Sequence, residues 1–247
     1  MKAGKTLLKL LLVTGISLSG WARPTAVNDR TLADQLRSRF ESKTELQKVM
    51  VDVTDHIATL MGTVDKYPAK LEAQKLARKT DGVKQVRNEI SVLPRTEVSD
   101  AELQQKLARK LRYDGYSTVF DNLELQVNRG VVTLEGEVRT PVDKDSALAI
   151  VENMTGVRDV QDQVKVLPVS GFDDQIRLQT ARAIYRDPVL SKYALDPQRP
   201  IRIVVDRGKV TLYGTVDNAM DKQIAGLRAN QVPGAFAVTN RLVVEGM

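Results

Sequence analysis

Two hydrophobic periods alternate along the chain. In its central third, Leu103, Leu107 and Leu111 recur every fourth residue behind Ser99 and Asp100, a cap with Glu102 in the first turn. That spacing predicts an amphipathic helix with one buried stripe. The period then falls to two. Leu123, Leu125 and Val127 alternate with Glu124 and Gln126, Asn128-Arg129-Gly130 makes a turn, and Val132, Leu134, Gly136 and Val138 alternate again. Two antiparallel strands joined by a hairpin are expected, each with one buried face. Helical spacing returns at Ala147, Ile150, Val151 and Met154, and Val157, Val160, Val164 and Val166 close the unit as a strand entered through Gly156. A helix between the second and third strands requires a crossover and so a parallel pairing. The expected class is α+β: helix, strand, strand, helix, strand, with a three-stranded mixed sheet carrying both helices on one face. The pattern leaves the strand order open.

The same ungapped 44-residue pattern occurs three times, from Val49 to Val92, from Leu123 to Val166 and from Ile201 to Val244. Its best-kept stretch reads ATLMGTV from Ala58, VTLEGEV from Val132 and VTLYGTV from Val210. Leu32, Leu36 and Phe40 mark the first helix of repeat one, and Ile176, Thr180 and Ile184 that of repeat three. Offsets of 74 and 78 residues exceed solenoid periods of roughly 20 to 50 residues, so each copy is expected to close its own core, as separate beads. The beads are expected at residues 30–94, 100–168 and 171–247. Gly62, Gly136 and Gly214 fall on the helix-facing side of the second strand. There they are expected to allow a bulge or a close helix approach; a ligand reaching the backbone is the functional alternative. Gly82, Gly156 and Gly234 form the second shared set, in the turn before the last strand.

The first 22 residues stand apart. Lys2 and Lys5 precede an apolar run from Leu7 to Leu18 that Lys9 interrupts, and Gly20-Trp21-Ala22 offers small residues for cleavage. This reads as a secretory signal peptide rather than a span, which needs about 20 apolar residues. Removing Lys2, Lys5 and Lys9 lowers the net charge from +6 to +3. Basic and acidic residues number 12 and 9, 9 and 12, and 11 and 8 in the three repeats. Because the sign alternates, no continuous phosphate-tracking stripe forms and nucleic acid is not an expected partner. The absence of cysteine removes disulfides, thiolate metal sites, a cysteine nucleophile and the lipidation site of a bacterial lipoprotein. The expected location is periplasmic or secreted.

Candidate chemistry is sparse. His56, the one histidine, aligns with the turn glycines Gly130 and Gly208, where positive φ is tolerable for histidine; a metal would need further ligands. Asp143, Asp145, Asp173 and Asp174 read as solvated or helix-capping carboxylates. No nucleophile-base pair, phosphate cradle or cofactor motif is visible, so neither catalysis nor a cofactor is expected. The second helix of repeat one is more distinctive. Ala69, Ala73, Leu76, Ala77 and Thr80 form its buried side, while Lys70, Lys75, Arg78 and Lys79 spread over the other with Leu71 among them. Such a face suits an anionic phospholipid surface. The alternative is binding to envelope proteins, including holdase activity, through the long connection from Tyr185 to Pro200 with Leu190 and Tyr193.

The threefold unit, with Val-Thr-Leu-Glu-Gly-Glu-Val and Gly-Val-Arg-Asp-Val-Gln-Asp-Gln-Val-Lys-Val behind a signal-like segment, resembles the BON domain family, named for bacterial OsmY and nodulation proteins. The resemblance covers nearly all of the chain after residue 22, departing at His56 (a turn glycine in the family) and at Ala235 (usually valine). It implies a non-enzymatic periplasmic or surface-associated module linked to envelope stress, with phospholipid association the commonest proposed role.

Overall fold

The computed structural model describes residues 28–113, 118–195 and 199–246; the signal-like segment lies outside them. The first repeat comprises α1 (Asp29–Glu41), β1 (Val49–Thr54), β2 (Ile57–Val64), α2 (Tyr67–Arg78), β3 (Gln85–Asn88) and β4 (Ser91–Val92). The second comprises α3 (Asp100–Tyr113), β5 (Asn122–Asn128), β6 (Val131–Val138), α4 (Pro141–Glu152) and β7 (Asp159–Val166). The third comprises α5 (Gly171–Tyr185), α6 (Lys192–Leu195), β8 (Arg202–Asp206), β9 (Lys209–Tyr213), β10 (Thr215–Val216), α7 (Ala219–Asn230), β11 (Ala237–Asn240) and β12 (Val243–Val244). This is the expected α+β unit written three times.

Local chemistry sets the helix starts. Asn28, Thr140, Ser170 and Asn218 accept the amide of the residue three further on, satisfying a donor that has no partner within the helix. Pro141 takes the first helical position of α4, where its missing N–H costs nothing. On the helices Leu32, Leu36 and Phe40, then Ala69, Ala73 and Ala77, turn inward. They meet the buried alternate positions Val49, Val51 and Val53 of β1 and Ala58, Leu60 and Val64 of β2. The small side chains of α2 let that helix lie close on the sheet.

The sheet order, which the hydrophobic pattern left open, puts the second strand in the centre. β1, β5 and β8 pair with it antiparallel. The last strand pairs with it in parallel on the other side, as β3 and β4 on β2, β7 on β6, and β11 and β12 on β9 and β10. The register is common to all three: Ile57 faces Gln85, Val131 faces Asp159 and Lys209 faces Ala237.

Separate beads are not what the structure shows for the first two repeats. Their buried residues form one continuous cluster, while the third repeat has its own. Tyr67 at the start of α2 is buried beside Asp159 and Glu152 of the middle repeat, and Lys70 Nζ lies 3.3 Å from Asp159 Oδ2. Burial first, then those two carboxylates, pushes the Tyr67 hydroxyl up to about 12. A different surface joins the middle and third repeats. Val119 O accepts the Ile203 amide at 2.7 Å, Lys165 Nζ meets Asp206 Oδ2 at 2.6 Å, and Tyr213 OH reaches Glu137 at 3.4 Å. Each repeat thus has a complete sheet, but its outer surfaces are partly used by its neighbours.

Candidate functional site

One carboxylate per repeat ties the first helix to the hairpin. Asp29 accepts the amides of Asp55 and His56 at 2.8 and 3.0 Å, Asp100 those of Arg129 and Gly130 at 2.6 and 2.9 Å, and Asp173 those of Arg207 and Gly208 at 3.0 and 2.7 Å. All six turn residues have positive φ, from 51° to 76°, as a two-residue turn matched to strand twist requires. That conformation turns both amides the same way, so one carboxylate can take both in charge-assisted bonds. Asp173 is therefore neither solvated nor a helix cap: it is 1% exposed and holds the turn. Asp174 is half-exposed and pairs with Arg177, and Asp143 accepts from Thr140 at the start of α4. The pattern had hidden this because the carboxylate precedes its turn by 26, 29 and 34 residues, a separation that varies with the connection.

His56 occupies that turn in repeat one with φ 64°. Its Nδ1 is 3.0 Å from the Gly82 carbonyl, in the turn before β3, and 3.9 Å from Asp29, the carboxylate that holds the hairpin. Among the described residues no three histidine, cysteine or carboxylate side chains converge as a metal site.

The strand glycines answer to a different constraint from the one expected. Gly62, Gly136 and Gly214 have φ of 111°, 124° and 121°. A Cβ built on them would lie 2.2 Å from Lys48 O, 2.1 Å from Asn122 O and 2.7 Å from Pro200 O. The close neighbour is the backbone leading into the first strand, not a helix, and around Gly62 and Gly136 the antiparallel register runs without a bulge. Gly82, Gly156 and Gly234 also have positive φ. Beyond Gly156 and Gly234 lie Val98 and the Phe172 ring, at 3.0 and 3.1 Å from a built Cβ.

The basic helix face is divided. Lys70 and Leu71 are not on open surface: Lys70 is bonded to Asp159 and Leu71 packs on the joined core of repeats one and two. The expectation that both face outward fails because α2 lies beside the start of β7. Lys75, Arg78 and Lys79 remain exposed at its C-terminal end, and none of the three has an ion pair among the described residues.

The described part of the Tyr185–Pro200 connection packs in part on its own repeat. Leu190 and Tyr193 are buried. The Tyr193 hydroxyl donates to Asp221 at 2.6 Å and accepts the Asp217 amide at 2.8 Å, and Arg228 bonds Asp187 at 2.7 Å. Leu190 and Tyr193 are thus committed to the core, while Val189 and Leu195 of the same connection stay exposed. Between α3 and α4 lies an open groove of about 470 Å³ lined by Ile150, Met154, Ala149 and Lys110, with no acid-base pair in its lining.

Comparison with known proteins follows this architecture. The BON domain sequence profile matches residues 28–94, 99–168 and 173–246. An uncharacterised protein of the gshII 5′ region of Anaplasma centrale is 25% identical over 146 residues, covering 57% of this chain and 95% of that protein. Among solved structures, CdsD of the type III secretion system of Chlamydia trachomatis aligns over 86% of this chain and 90% of its own at 13% identity and a TM-score of 0.26. The periplasmic domain of the inner-membrane protein PrgH from S. typhimurium aligns over 86% and 100% at 12% identity and a TM-score of 0.21. Superpositions that loose carry no argument about this chain.

Proposed function

The chain belongs to the BON domain family, and from that premise we propose that it is a non-enzymatic envelope protein, periplasmic or secreted, that associates with anionic phospholipid surfaces. The observation that carries this reading is the end of α2, where Lys75, Arg78 and Lys79 stand exposed, without carboxylate partners among the described residues, beside a stripe of buried alanines. Each such cation gains about 1 kcal/mol near an anionic leaflet, so three together raise partitioning on the order of a hundredfold. The attraction falls with salt. Packing of Leu190 and Tyr193 into the third repeat takes those two side chains away from protein capture through the Tyr185–Pro200 connection.

Vesicle flotation tests the proposal. The full chain should float with vesicles containing anionic phospholipid, weakly with zwitterionic ones, and less as salt rises. A Lys75→Gln/Arg78→Gln/Lys79→Gln variant should lose most of that binding while keeping its circular dichroism melt, because all three residues lie off the buried stripe. Undiminished flotation of that variant would remove α2 from the reading; no flotation of either protein at low salt would remove the reading itself.

A further inference from the structure

The three repeats serve as controls for one another, and one position breaks the pattern. After the second helix, Lys84, Arg158 and Phe236 make the same backbone bond, donating to His56 O, Gly130 O and Gly208 O at 2.9, 2.8 and 2.9 Å. The backbone is shared; the side chain is not. Repeats one and two carry a cation there, whereas repeat three carries a phenylalanine that is 75% exposed. A second change accompanies it. Asp29 and Asp100 are the first residues of their helices, but α5 starts two residues before Asp173 and so places Phe172 at the same end. The Phe172 and Phe236 rings are tilted at 34° with centroids 5.9 Å apart, within the range of aromatic contact. The rings lie against the turn backbones, since a Cβ on Gly208 would come within 2.4 Å of Phe236 and one on Gly234 within 3.1 Å of Phe172.

The charges around this pair are one-sided. Asp173 is occupied by the turn amides, Asp174 by Arg177 at 2.6 Å and Asp206 by Lys165 at 2.6 Å. Arg207, its side chain 83% exposed, comes only to 4.0 Å of Asp206, and Lys209 is exposed on the next residue but one. Two rigid aromatic rings flanked by two outward cations have the composition of a segment that lies in a bilayer interface, apolar groups at the acyl boundary and cations among the headgroups. A folded partner fits less well. Two phenylalanines offer at most about 500 Å², below the roughly 800 Å² that each partner contributes to a standard stable protein interface.

We propose that the hairpin end of the third repeat is a membrane-inserting tip, in which Phe172 and Phe236 enter the acyl boundary of a phospholipid bilayer while Arg207 and Lys209 meet its headgroups. This rests on the membrane reading above and adds to it the element that inserts. The tip contributes the part of binding that salt does not remove, and α2 the part that it does.

A tryptophan reporter tests the tip separately. In the full chain with Trp21→Phe, Phe236→Trp supplies the one tryptophan. Its emission should shift to the blue on mixing with phosphatidylglycerol-containing vesicles and be quenched by lipid brominated near the headgroup end of the chains. Phe172→Ser/Phe236→Lys, which restores the polar character of the other repeats, should lower partitioning at 0.5 M salt by about a hundredfold with an unchanged melt. If the reporter protein floats with vesicles while its emission stays unshifted and unquenched, the tip proposal fails and the membrane reading stands. If the shift appears without vesicles and grows with protein concentration, a second copy covers the tip and the proposal fails. If the protein floats on no vesicle, both fail.

Discussion

Replacing Gly136 by alanine adds a single methyl group, and the structure makes its cost large. The new Cβ would sit 2.1 Å from the Asn122 carbonyl oxygen and 3.0 Å from its carbon, both backbone atoms that cannot rotate away. The residue also has φ 124°, where an L side chain is strained by about 1–3 kcal/mol. Opening β5 from β6 to relieve the contact costs about 1–3 kcal/mol more. A loss of about 2–6 kcal/mol is comparable with the whole stability of a small domain, about 5–15 kcal/mol. At the size of the two repeats that share a core it should lower the melting temperature by about 5–20 °C. Circular dichroism melts and urea titrations of the full chain measure this directly. Because repeats one and two share a core, the affected transition should include both. Gly62→Ala, with its 2.2 Å contact, should match it, and Gly214→Ala, with 2.7 Å, should cost less. Gly171→Ala is the control: nothing lies within 4 Å of its Cβ, and a helix-starting glycine replaced by alanine should be neutral or slightly stabilising. A Gly136→Ala protein that melts within about 0.5 kcal/mol of the parent, the spread of neutral surface changes, would refute the account of why this glycine recurs.

The carboxylate at the hairpin predicts that Asp173→Ala costs about 1–3 kcal/mol, since it leaves the buried Gly208 amide and the part-buried Arg207 amide without acceptors; an unchanged urea midpoint would refute it. Acid should act on the third repeat in particular. Burial pushes Asp187 and Asp221 up, but Arg228 on the first, and Lys192 and Tyr193 on the second, outweigh it and hold both carboxyls below their ordinary range. A lowered folded value means that the unfolded chain binds more protons, so this stability is complete above the unfolded value of about 3.9 and is lost as pH falls through the folded one. Melts from pH 5 to pH 2.5 should show the third repeat failing progressively, and Asp221→Asn should be less stable at pH 7 with a flatter acid dependence.

Most of the unit was legible in one dimension, because amphipathic periods and turn residues are local properties. Leu103, Leu107 and Leu111 could only be one helix stripe, and the Ala-Thr-Leu or Val-Thr-Leu run before each strand glycine only a half-buried strand. The parallel pairing followed from a helix standing between two strands. That His56 sits in a hairpin turn followed from aligning it with Gly130 and Gly208. Repetition strengthened each inference, since three sequences had to satisfy the same backbone.

What required the tertiary structure was anything decided by residues far apart in the chain. Gly136 looked like a helix-packing glycine because its parity puts it on the helix side; its real neighbour, Asn122 O, comes from across the hairpin. Asp173 looked like a cap because it stands in the first turn of a helix, yet its partners lie 34 and 35 residues away. Lys70 and Leu71 read as outward-facing because a helical wheel knows only its own core. Where the next domain lies is set by Tyr67, Asp159 and Glu152 meeting across a repeat boundary. Local pattern reports which face a side chain takes relative to its own element; only the assembled chain determines what stands opposite that face.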